Sequence, residues 1–99
     1  MDMKEVAAAI AYFERSDDLN QLIELIRAIR PRAAAAVRRF ESRNADVPAP
    51  VDIPRADVPA SREAALRTVR ETNDFAQLQA LSRAIGRRVE ELQQPATRD

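Results

Sequence analysis

Apolar residues return every three or four positions through most of this chain. Val6, Ala9, Ile10 and Phe13 fall on one helical face, which predicts a first helix from about Met3 to Arg15. Asp2 is placed to cap it, with Glu5 in the reciprocal position of a capping box. A second stripe follows in Leu19, Leu22, Ile23, Leu25, Ile26 and Ile29. Ser61 then reads as the cap of a helix reaching about Glu71, with Leu66 and Val69 inward. Phe75, Leu78, Leu81, Ile85, Val89 and Leu92 make the stripe of a fourth helix. The expected fold class is all-α.

The second half of the pattern repeats the first. At an offset of 56, which lays Ala64 over Ala8, "AAIAYFERSDDLNQLIELIRAIRPR" aligns without a gap on "AALRTVRETNDFAQLQALSRAIGRR". Identities include Ala9/Ala65, Asp18/Asp74, Gln21/Gln77, Leu22/Leu78, Ile29/Ile85 and Arg32/Arg88. Two copies of a unit this long favour a pseudo-symmetric pair over an open array. The expectation is therefore two tandem-duplicated helical hairpins forming one pseudo-symmetric four-helix bundle. Unit one spans 1–43, a Pro-rich extended linker 44–60, unit two 61–94 and a fraying tail 95–99. The junctions "ERSDDL" and "RETNDF" correspond, with Ser16 expected to cap the second helix and Thr72 or Asn73 the fourth. Glu14, Asp17 and Asp18 would offer a hard cation some oxygens. However, unit two has Arg70 in place of Glu14, and the spacing lacks the alternation of a calcium loop, so capping is the reading.

Helix breakers punctuate the same point of both units. Pro31 lacks an amide donor and crowds the preceding turn, and Gly86, the only glycine, weakens a helix interior. Either the long helix kinks at Pro31, or it stops there and a new helix begins with Pro31 in its first turn. Arg27/Arg83 and Arg32/Arg88 flank this point and would solubilise it, pair with acids of the other unit or hold a ligand. Four of the six prolines lie in 48–59, where an extended chain with Val47, Val51, Ile53 and Val58 is expected to run along the bundle.

Charge and chemistry narrow the function. The 16 basic and 16 acidic residues cancel, but residues 25–40 carry five arginines and no acid. There is no Cys or His, hence no thiolate or imidazole for a metal, a nucleophile or a base. One lysine and one glycine leave neither an activated serine nor a phosphate-cradling loop. No catalytic residue, cofactor site or metal site is expected. A leader peptide and a membrane span are not expected either, so a cytoplasmic protein is the default. Fifteen arginines against one lysine suggest a G+C-rich bacterial genome.

What remains is a small non-catalytic interaction or assembly module. Ile23 and Ile26, opposite Gln79 and Ser82 in unit two, widen the apolar arc of the second helix to about 160°, beyond the ~100° stripe of a surface helix. The linker valines or Ile53 are one candidate cover for them; the other, a second copy in a homodimer or a partner helix, makes Leu19, Ile23 and Ile26 the expected protein interface. The alternative is nucleic-acid binding by Arg32, Arg39 and Arg43, which stack along one face of the 27–43 segment.

Overall fold

A computed structural model describes residues 3–43, 53 and 56–93. Among them 82% are helical and none is in a strand. The four helices are α1 (Met3–Arg15), α2 (Leu19–Ser42), α3 (Arg62–Glu71) and α4 (Phe75–Gln93). Asp2 and the tail fall outside the described residues, as does most of the 44–60 segment.

All four helices close on one core. Val6, Ala9 and Phe13 of α1 meet Leu22, Ile26 and Ile29 of α2, Ala65 and Val69 of α3, and Leu78, Leu81 and Ile85 of α4. The aliphatic stripes read from the sequence supply this core, because burying them removes the most apolar surface from water. Ile53 and Ala60 pack against its edge, and the Ala60 amide donates to the Ala8 carbonyl at 2.9 Å. Val58 instead stands out into solvent, 73% exposed.

The pairing of helices differs from the expected hairpins. The extensive contacts are α2 with α4, α1 with α4 and α1 with α3, while α1 with α2 and α3 with α4 meet little beyond their junctions. Three-residue corners join α1 to α2 and α3 to α4 and send each pair apart. The apolar face of α1 then finds its partners in the second half of the chain, where alanines on both sides (Ala9, Ala65) permit close approach.

Both corners are capped by aspartate, not by the expected Ser16, Thr72 or Asn73. The Asp18 carboxylate accepts from the Gln21 amide at 3.1 Å, and Asp74 accepts from the Gln77 amide at 3.1 Å. The side chain three residues before the donating amide has the reach for a cap. Ser16 lies two residues too early, and its hydroxyl accepts from the Asp18 amide at 3.2 Å, bracing the turn. Ser61 caps α3 as expected, accepting from Ala64 at 3.2 Å.

α2 does not break at Pro31: one helix of 24 residues runs through it. Pro31 is exposed, so the carbonyl that lacks its amide faces water.

Candidate functional site

The contacts of two arginines establish how the long helices lie. Arg32, on α2, donates to the carbonyls of Val69 (2.5 Å), Arg70 (3.3 Å) and Thr72, where α3 ends. Arg88, on α4, donates through Nε to the Ser16 carbonyl at 2.8 Å, just past the end of α1, and through Nη2 to Asp17 at 2.9 Å. The C-terminal half of each long helix thus reaches the corner that begins the other, so α2 and α4 run antiparallel. A cation on the last carbonyls of a helix is favourable twice, for the macrodipole and for the acceptors left without amides.

Midway along this pair, Ile26 packs over Gly86. A Cβ on Gly86 would meet only Ile26 Cδ1, at 3.8 Å. Ile26 is 7% exposed and belongs to the chain's own core. It is therefore not available to a partner, and the expected interface reduces to Leu19 and Ile23. Both are half-buried on α2. The wide apolar arc read from the sequence is partly consumed by α4, whose Gly86 lies beneath Ile26.

Beside Gly86, α2 and α4 form an open groove of about 470 Å³, lined by Arg30, Ser82, Arg83, Gly86, Arg87 and Glu90. Arg30, Arg83 and Arg87 are exposed. They make no ion pair or side-chain hydrogen bond among the described residues. Arg27 precedes Arg30 by one turn and Ile23 by one more, which extends the same flank of α2. This cluster was only half legible in the sequence. The recurrence of Arg-Ala-Ile marked Arg27 and Arg83, but nothing in one dimension brings Arg30 next to Arg87.

The structure separates the three arginines of the nucleic-acid reading. Arg32 is occupied by the end of α3. Arg39 and Arg43 line another groove, of about 420 Å³, together with Phe40, Asn73, Asp74 and Phe75. There Phe40 and Phe75 pack edge to face with centroids 5.6 Å apart. Asp74 brings a negative charge to the same groove.

Among the described residues no group of acidic side chains is arranged to hold a metal ion. Nor is any helix among them long and apolar enough to cross a membrane. No family model matches the chain, and no curated protein or solved structure is similar to it.

Proposed function

We propose that this protein is a non-catalytic helical interaction module, built by tandem duplication about a pseudo-twofold axis between α2 and α4, and that it docks a partner helix along the outer flank of α2 at Leu19 and Ile23. The duplication is supported by reciprocal contacts. Arg32 donates to Thr72 and Arg88 to Ser16, and both pairs of residues are related by the offset of 56. A twofold operator generates such an exchange, in which residue i meets j and j's counterpart meets i's. The caps Asp18 and Asp74 correspond in the same way, as do the buried pairs Ala9/Ala65, Leu22/Leu78 and Ile29/Ile85. The symmetry is imperfect, since α1 packs broadly on α4 while α2 and α3 meet little.

Ile23 carries the docking reading. It remains half-buried where α4 has Gln79, and Arg27 and Arg30 follow it on its face. A second copy meeting this flank would bring its own Arg27 and Arg30 to the same seam, so like charges oppose the homodimer and favour a different partner. A photo-crosslinking residue at Ile23, with one at exposed Glu63 on α3 as control, tests this in the native host. The expected result is a discrete adduct from position 23 and none from 63. An adduct of two chains makes the occupant a second copy. No adduct, or the same adducts from both positions, overturns the docking face.

Nucleic-acid binding is the second reading, supported by Arg39 and Arg43 sharing one groove. It requires salt-sensitive retention on a DNA column that an Arg39→Ala/Arg43→Ala variant loses.

A further inference from the structure

The docking reading leaves the chemistry of the partner open, and the charges beside Ile23 address it. We infer that the groove between α2 and α4 is a carboxylate-binding site: Arg30, Arg83 and Arg87 take the acidic side chains of a partner helix whose apolar side covers Ile23.

Three observations converge on one place. The groove is open to solvent and has a volume of about 470 Å³, enough for side chains to enter from outside. Its arginines come from two antiparallel helices, and none is neutralised by an acid of the described chain. By contrast, Arg88 on the same helix is taken up by Asp17, Glu91 and the Ser16 carbonyl. Among the described residues Arg88 is the arginine that pairs with acids, and what sets this groove apart is that three arginines from two helices gather in it.

The spacing suits a helix. Arg83 and Arg87 are four residues apart, hence about 6 Å along α4, which matches the rise between carboxylates at i and i+4 of a partner helix. The planar guanidinium accepts a carboxylate in a two-point fork that an ammonium cannot reproduce. Glu90, at one end of the groove, repels further acid and gives the site a direction.

The same arginines would attract phosphates, but the surroundings favour a peptide. No aromatic side chain lines this groove for bases to stack on. Glu90 opposes a continuous phosphate track. The half-buried isoleucine on the same flank is wasted on a sugar-phosphate backbone but matches an amphipathic helix.

The test uses the full chain and three fluorescent probes in anisotropy titrations. The first is a synthetic amphipathic helix with glutamates four residues apart beside a leucine stripe. The second is its glutamine counterpart, and the third a DNA duplex of mixed sequence. The acidic helix is expected to bind at low salt, at least about tenfold more tightly than the glutamine helix. The Arg83→Ala/Arg87→Ala variant, with its helix content checked by circular dichroism, is expected to lose that difference, while Arg62→Ala on α3 retains it. No binding of the acidic helix, equal binding of the glutamine helix, or an unchanged double variant overturns the site. Tighter binding of the duplex through the same arginines overturns it in favour of nucleic acid. Ile23→Gln separates the two levels. If it leaves arginine-dependent binding of the acidic helix untouched, the docking face at Ile23 fails while the carboxylate site stands. If Ile23→Gln weakens binding but the arginine variant does not, the reverse holds.

Discussion

At the scale of single residues, Arg32 has more effect on stability than its position on an arginine-rich segment suggests. It satisfies carbonyls at the end of α3 with charge-assisted bonds, in a partly buried place. Removing it leaves those acceptors without donors, so Arg32→Ala is expected to lower the unfolding free energy by about 2–3 kcal/mol in urea titrations. Arg32→Lys should recover little, because one ammonium cannot spread over three carbonyls. Asp17 provides the contrast. Its side chain is 86% exposed although it lies 2.9 Å from Arg88. Solvent screens that pair, and Asp17→Asn is expected to change stability by less than about 0.5 kcal/mol in the same titration. The sequence shows Arg32 and Arg88 at matched positions but not what they hold in common, since the acceptors that correspond, the carbonyls of Thr72 and Ser16, are backbone groups that any residue type supplies.

At the scale of helices, local signals were largely readable. The bounds of α1 and α3 follow from the stripe of Val6, Ala9 and Phe13 and from the cap at Ser61. The caps of α2 and α4 were misplaced because Ser16, Thr72, Asn73, Asp18 and Asp74 are all competent capping residues crowded into two short corners. Only the position of the next helical amide selects among them. Asp18→Ala and Asp74→Ala are each expected to cost about 1 kcal/mol, and an equal cost in thermal melts would show that the corners are energetically alike. Gly86 invites the opposite change. Its missing Cβ has room, with Ile26 Cδ1 at an ordinary contact distance of 3.8 Å. Gly86→Ala is therefore expected to raise stability by about 0.5–1 kcal/mol through helix propensity, read as a higher melting temperature. A lower melting temperature would mean that α2 and α4 need the closer approach. The proline one position before the end of the first repeat, Pro31, proved compatible with a continuous helix because it faces outward, a fact of orientation that spacing alone left balanced between kink and break.

At the scale of the whole molecule, each half depends on the other. Leu22, Ile26 and Ile29 are covered largely by α4, and the α1 face by α3 and α4. Neither half closes a core by itself, and small chains have little apolar burial to spare. A fragment of residues 1–43 is expected to show weak helicity by circular dichroism and to regain it when mixed with residues 61–99. Unfolding of the full chain is expected to be two-state. Helix loss and the fluorescence of Tyr12, whose ring packs against Phe13 with centroids 5.3 Å apart, should then follow one transition. Separate transitions would mean that the halves fold independently.

The sequence by itself determined the all-helical class, the apolar stripes and nearly all of the core, because these follow from short-range periodicity that each segment carries in its own residues. It also displayed the correspondence of positions 56 apart. Tertiary structure alone decided which helices pair. Periodicity says that a face must be covered but not by what, and sharp corners sent each apolar face across to the other half. That choice took Ile26 out of the expected interface and placed it over Gly86. It also spent Arg32 and Arg88 on helix ends and drew Arg30, Arg83 and Arg87 together around one groove. Residues far apart in the chain become neighbours only once the helices have crossed, so the arginine groove is a property of the packing and not of any segment.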